Sequence, residues 1–283
     1  MDRNYIIRNM SLNEVKDIAI KWAAEEGWNP GLYDHEAFYQ ADPKGFYVGL
    51  LDNKPIASIS IVNYGNNFTF LGLYIVKSDY RGQGYGLTLW QSALEHYQNY
   101  NIGLDGVVDQ QANYRKSNFK FAYNNIRFEG KSKLYPEVNA NVEEFNESML
   151  NELMLYDHKY FPVQRKQFLN YWLNSANSIT LVSKNNKTIN GYITIRKCLK
   201  GYKIGPLFAE NFEIANALFK SINNKISPDK YIYLDIPEPN KYANELVNTY
   251  QMNKVFETAR MYNQTLPDIN LENIFGVTTF ELG

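Results

Sequence analysis

The sequence predicts an α/β (α+β) chain of two domains, 1–135 and 136–283, each a mixed, mostly antiparallel sheet flanked by helices. Three observations lead there. A length of 283 residues exceeds one average domain. Apolar residues at 45% and charged residues at 21% supply a packable core and rule against disorder. Segments of helical and strand periodicity follow one another in the same order twice.

The first helix begins at Ser11, which with Glu14 makes a capping box. Leu12, Val15, Ala19 and Trp22 recur at helical spacing, and Gly27 ends the run. A second, short helix is expected from Asp34 to before Pro43. Three apolar runs, 46–51, 56–62 and 68–76, are separated by Asp52-Asn53 and Gly65-Asn66-Asn67 and read as an antiparallel meander. A glycine-rich loop at 78–86 leads into a helix at 87–97. A strand (102–108), a short helix (110–117) and another strand (122–128) follow. The aperiodic stretch 131–141, with Pro136, is the expected linker.

The second half restarts with a helix that Asn141 and Glu144 are placed to cap, and a second helix at 164–174. Strands are expected at 179–183, 190–195 and 203–208, then a helix (212–222), a strand (231–236) and a helix (241–250). Strands near 255–262 and 275–282 close the chain. Gly72 and Gly205, Phe119 and Met252, and Arg127 and Arg260 each lie 133 residues apart. Asp105 and Asp235 occupy matching strands. These correspondences point to an internal duplication.

Composition excludes several functions. Lys plus Arg number 29 against 30 Asp plus Glu, a net charge of −1, so nothing draws the chain to nucleic acid or to anionic lipid. A single cysteine, Cys198, excludes an intramolecular disulfide and any multi-cysteine metal site, and His35, His96 and His158 match no zinc spacing, so no metal is expected. No apolar run reaches the roughly 20 residues of a membrane helix. The opening Met-Asp-Arg-Asn-Tyr lacks a basic leader followed by an apolar stretch, and a cytoplasmic location is expected.

The chemistry concentrates in Arg81-Gly82-Gln83-Gly84-Tyr85-Gly86-Leu87, between a strand and a helix. The glycines let the backbone turn and a ligand approach closely. The N–H groups from Gln83 to Leu87 then precede the first intrahelical hydrogen bond, and the helix dipole adds positive potential, which suits a diphosphate. There is no Gly-Lys-Ser/Thr ending and no Gly-x-Gly-x-x-Gly spacing, so neither a nucleotide-hydrolase loop nor a dinucleotide fold fits.

Arg81–Gly86 resembles the Arg/Gln-x-x-Gly-x-Gly/Ala signature of the GNAT superfamily of N-acetyltransferases. Tyr114-Arg-Lys-Ser-Asn118-Phe119 resembles that family's Tyr-x-Lys-x-Gly-Phe segment, with Asn118 in place of glycine. Asparagine tolerates a left-handed conformation, so the departure is mild. The family's element order (a strand, two helices, antiparallel strands, signature loop and helix, strand, helix, strands) is similar over residues 1 to about 135. The resemblance implies a V-shaped cleft between two splayed central strands that takes acetyl-CoA as co-substrate. It implies that Ile75 and Val76 pair with the pantetheine arm and that Tyr114 is the general acid for the departing thiolate. Arg115, Lys116, Lys120 and Arg127 form a basic run near enough in sequence to help hold phosphates. Relatives often carry a basic glutamate on the strand before the loop, yet 68–76 holds no carboxylate. Asp105, Glu25 and Glu26 are the alternatives for the proton acceptor, and Asp105 reads equally as a structural carboxylate.

The second half lacks this machinery. Ile214–Phe219 replaces the signature loop and Val247 replaces Tyr114, so a degenerate domain that walls the acceptor cleft is expected, with one acetyl-CoA per chain. In relatives the segment joining the first two helices borders the acceptor. Here 22–43 carries five acids and no Lys or Arg, and Glu25, Trp28, Asn29 and Asp34 are the expected acceptor contacts. The function implied is acetyl transfer to a primary amine of a small or amino-acid-like molecule, by a monomer or homodimer. The alternatives are a non-catalytic acyl-CoA sensor, and acetyl or aminoacyl transfer to a protein or peptide.

Overall fold

The computed structural model describes residues 4–136 and 141–283. Residues 1–3 of the chain's opening and 137–140 of the expected linker lie outside them. The first half runs β1 (Tyr5–Asn9), then one helical segment made of α1 (Leu12–Glu14), a π-helical stretch (Val15–Ile20) and α2 (Lys21–Glu25). It continues with α3 (Asp34–Ala41), β2 (Phe46–Leu51), β3 (Lys54–Gly65), β4 (Phe68–Val76), α4 (Tyr85–Leu94), β5 (Asn101–Val107), α5 (Gln111–Lys116) and β6 (Lys120–Lys131). The second half runs β7 (Val142–Glu144), α6 (Leu150–Asp157), α7 (Lys166–Asn174), β8 (Ser178–Asn185), β9 (Thr188–Lys197), β10 (Tyr202–Ala209), α8 (Phe212–Asn223), β11 (Tyr231–Pro237), α9 (Lys241–Thr249), β12 (Asn253–Tyr262) and β13 (Ile274–Gly276).

Local chemistry explains the joints. The Ser11–Glu14 capping box forms in both directions. Asp52 and Asn53 both take positive φ, 47° and 65°, the geometry that matches a tight hairpin to strand twist. Asn118, at φ 65°, adopts the left-handed conformation expected of it in place of glycine.

All strands join one sheet in the order β1-β2-β3-β4-β5-β12-β6-β11-β10-β9-β8-β7, with β13 added on β10. The two halves therefore exchange strands. β12, from the second half, lies between β5 and β6 of the first, and β6 lies between β12 and β11 of the second. The helices tie the halves together as well. Phe38 of α3 stacks on Trp172 of α7 at 6.1 Å, and a single apolar cluster draws on the first helices of both halves.

Two expectations need correction. Residues 142–144 form a strand paired with β8, and the helix starts only after Asn146, whose side chain accepts from the Ser148 N–H. Asn141 and Glu144 do not cap it. The strand expected at 275–282 ends at Gly276, and the chain then turns back on itself, with the Gly283 N–H donating to Thr279 O at 3.2 Å. β1 is the opening strand that the family's element order implies, and it pairs antiparallel with β2.

Candidate active site

β4 and β5 run parallel and pair only from Phe68–Leu71 to Asn101–Leu104. Beyond Leu71 they part. A bulge accompanies the departure: the β3–β4 register shifts between Ser58 and Ser60, and Leu73 takes φ 48°. The Ser58 hydroxyl donates to Leu73 O at 2.9 Å and fixes the kink. Past this point β4 is paired with β3 on one side and faces a cleft of about 590 Å³ on the other. The cleft is lined by Ile75 and Val76 and, across the turn, by Arg81, Gly82, Gly84, Gly86 and Leu87.

The turn is built as its sequence requires. Gly82 and Gly84 have φ of 74° and 89°, where a side chain would be strained. A Cβ on Gly86 would lie 2.7 Å from the Tyr74 hydroxyl and from Val76, so glycine lets α4 settle against β4. Helix α4 has no side-chain cap, and its first hydrogen bond is Thr88 N–H to Gly84 O at 3.0 Å. The amides of Gln83 to Leu87 precede that bond and carry the positive end of the dipole. Arg81 holds the loop in place by donating to Val76 O (2.7 Å) and to Glu26 (2.5 Å). Gln83 and Tyr85 do not line the cleft: the Gln83 side chain donates to Asp79 O, and the Tyr85 ring packs on Tyr5 at 4.9 Å. The uncapped amides and the close backbone fit an acyl-CoA diphosphate.

The second half has the same wedge, filled. β10 and β11 pair from Tyr202–Ile204 to Ile232–Leu234, and β13 then pairs on β10 where the cleft would open. Its Gly276 is so close to Leu234 that a Cβ would meet that side chain at 2.6 Å. The helix that follows, α8, is capped by Asn211, which accepts from the Ile214 N–H at 3.0 Å. No comparable anion seat is left there.

Tyr114 reaches the cleft from α5. Its ring stacks on Trp90 at 5.7 Å and covers Gly106, where a Cβ would come within 2.2 Å of it. Burial, aided by the nearby Tyr74 hydroxyl, raises its pKa to about 12.

The other sequence-predicted residues fare differently. The Asp105 side chain is fully buried, and Arg260 grips it at 2.6 and 2.8 Å while the Asn125 amide donates to it at 2.8 Å. The residue lines the cleft, and with both oxygens engaged its carboxylate is held as a structural ion pair. Arg127 is buried against Asp235, at 2.6 and 2.7 Å, and cannot reach a phosphate. Asp34 is buried in an ion pair with Arg196, and Asn29 clasps the Lys200 backbone through both ends of its amide. Glu25 is exposed and does not line the cleft. Of the proposed acceptor contacts only Trp28 lines it, together with Glu26.

Residues that the sequence reading missed complete the cleft. Phe256 and Thr258 enter from β12, and Phe280 and Glu281 from the closing segment 277–283. A sequence signal existed for the last two. Gly72 and Gly205, the paired glycines of the repeat, are the points that this segment crosses. A Cβ on Gly72 would lie 2.0 Å from Glu281 O, and one on Gly205 would lie 2.2 Å from Thr278 O. Among the described residues no group of three His, Cys, Asp or Glu could hold a metal, and no helix is long and apolar enough to cross a membrane.

Comparison with known proteins agrees with this geometry. A model of the acetyltransferase (GNAT) family matches residues 13–118, and one of an acetyltransferase (GNAT) domain matches residues 153–276. A holothin acyltransferase from Pseudoalteromonas sp. (strain SANK 73390) is 29% identical over 94% of this chain and 90% of its own. Among solved structures, a putative acetyltransferase from Pyrococcus horikoshii superposes with a TM-score of 0.84 at 22% identity, covering 99% of this chain and 96% of that one. A tandem GNAT protein from the clavulanic acid biosynthesis pathway superposes with a TM-score of 0.64 at 9% identity, covering 92% and 98%. With family matches in both halves and a donor-shaped cleft in the first, the chain belongs to the GNAT acetyltransferase superfamily as an acyltransferase of the tandem, two-domain form.

Proposed function

We propose that this enzyme transfers an acetyl group from acetyl-CoA to a primary amine of a small or amino-acid-like acceptor, and that only the first half holds the donor. The observation that carries this is the open wedge between β4 and β5 running to the uncapped start of α4, set against a second wedge closed by β13. The relative named a holothin acyltransferase supports acyl transfer as the reaction class.

Acetyl-CoA supplies the activated thioester, and the chain's residues divide the rest of the work. The edge of β4 left by β5 offers backbone groups to an extended pantetheine arm, in the manner of an added strand. The amides of 83–87 receive the diphosphate. A β4 N–H facing the cleft stabilises the oxygen charge that builds as the amine attacks. The Tyr114 hydroxyl donates to sulfur as the C–S bond breaks. Burial raises its pKa to about 12, so it stays protonated at neutral pH; donation to a thiolate whose thiol has a pKa of about 8.5 is uphill and is drawn on by the proton that the acylated nitrogen releases.

Melting with and without acetyl-CoA tests the donor site. At about one hundred times Kd the ligand adds roughly 2.7 kcal/mol. The shift disappears in Gly84→Asp, which sets a carboxylate at the anion seat. A second reading, a non-catalytic acyl-CoA sensor, draws on the absence of any carboxylate in 68–76 and on the engagement of Asp105. Thiol release with a panel of primary amines separates the two. Release supports transfer, and a melting shift with no release by any amine supports the sensor.

A further inference from the structure

Resting on the transfer reading above, we propose that Glu281, carried into the cleft by the second half, is the carboxylate that receives the acceptor's ammonium group and takes its proton. The residue lines the cleft and is only 4% exposed. Its Oε2 is buried with no hydrogen-bond partner among the described residues. A buried carboxylate oxygen left so is costly, and no other buried acid among the described residues carries one. Asp105, Asp157 and Asp235 each hold a guanidinium by both oxygens.

The cations near Glu281 are occupied elsewhere. Arg127 of β6 is bound to Asp235 of β11 and also donates to Trp28 O at 2.6 Å. Lys203 of β10 donates to the same carbonyl at 3.2 Å. Burial lowers the Lys203 pKa and works against the charge of Arg127, while the nearby Glu281 carboxylate acts upward on both without a hydrogen bond to either. A cationic amine entering past Trp28 and Phe280 would supply the missing donor. The backbone of Glu281 lies on Gly72, at the kink where β4 leaves β5, so this acidic residue is set against the strand whose own side chains offer no carboxylate.

The proton count closes. An ammonium loses two protons in becoming an amide. Glu281 takes the first and passes it to solvent, freeing the nitrogen lone pair. The C–N bond then forms and the C–S bond breaks, with the bonding pair leaving on sulfur. Tyr114 protonates that sulfur, and the second nitrogen proton restores Tyr114 through water.

The test compares two nucleophiles with the full chain at neutral pH. An alkyl amine such as butylamine is protonated there and needs a base, whereas hydroxylamine is largely neutral and does not. In Glu281→Gln, kcat/KM for butylamine should fall by about 10²–10⁴ while hydroxylamine acetylation and the acetyl-CoA melting shift stay within a few-fold of the parent. Glu281→Asp, which keeps a carboxylate one methylene shorter, should recover part of the butylamine rate and covers the case in which the amide variant fails to fold. An equal loss with both nucleophiles, or none with either, overturns the role of Glu281 and leaves acetyl transfer standing. No thiol release from the parent chain with either nucleophile, despite an intact melting shift, overturns both.

Discussion

Arg260 of β12 stands directly opposite Asp105 of β5 and holds its carboxylate by two hydrogen bonds, of 2.6 and 2.8 Å. The mirror pair is Arg127 of β6, directly opposite Asp235 of β11. Each pair joins one half of the chain to the other. Together they lock the exchanged strands in register, because a slip of one residue would put a buried charge opposite an apolar side chain.

Breaking one of these pairs should be expensive. Asp105→Ala leaves the Arg260 guanidinium buried and unpaired, and a loss of roughly 3–5 kcal/mol is expected in urea unfolding. Replacing both partners with apolar residues of similar size should recover most of it. A loss well below 1 kcal/mol in the single variant would mean that the pair is solvated.

Separated halves should not fold on their own. A chain ending at residue 135 keeps β6 but loses β12, the strand that lies between β5 and β6. Expressed alone it should aggregate or give no cooperative unfolding transition, while coexpression with 136–283 should restore a soluble complex. A monomeric, cooperatively melting 1–135 fragment would contradict the exchange.

Much of this was legible in the residues, and the failures have physical causes. The glycine turn, the meander and the helix start at Ser11 rest on local chemistry, and they appear where the pattern placed them. The strand exchange is not local. β6 and β12 hold matching positions in the two halves, so each offers a partner strand much the same surface whether it pairs at home or across. The repeat showed Arg127, Arg260, Asp105 and Asp235 as equivalents without showing that they bind crosswise. The acidic run at 22–43 misled because neighbours in sequence point apart on helices and turns: Glu26 lines the cleft, Glu25 faces solvent and Asp34 turns inward to Arg196. Glu281 escaped notice because nothing in 275–282 signals the turn after Gly276.

Tyr114→Phe should lower kcat by about 10²–10⁴ with the acetyl-CoA melting shift intact, as befits a group that acts on the leaving sulfur. The pH dependence follows from its raised pKa. The fold favours the neutral phenol, so the stability that it contributes is whole below pH 10, the ordinary tyrosine value, and is lost as pH rises through about 12. If Tyr114 acts as the acid, kcat at saturating acceptor should show no alkaline limb near pH 10. A limb there that vanishes in Tyr114→Phe would place the hydroxyl in water.

Gly72→Ala and Gly205→Ala probe the crossing segment. Either Cβ would meet backbone carbonyl oxygen, at 2.0 Å (Glu281) or 2.2 Å (Thr278), and backbone cannot yield as a flexible side chain does. Each should cost about 1–3 kcal/mol or more in thermal or urea unfolding. Gly72→Ala alone should also impair catalysis, since it displaces the cleft wall at Glu281. Equal effects of both on KM for the acceptor would contradict that division.

The central claim is that one acyl-CoA lies in the first wedge with its diphosphate on the amides of residues 83–87. A crystal structure of the complex with acetyl-CoA tests it most directly. The account predicts one molecule per chain, its diphosphate within hydrogen-bond distance of those amides and its thioester between β4 and Tyr114. Acetyl-CoA at the start of α8, or bound with those amides turned away from its phosphates, would contradict it.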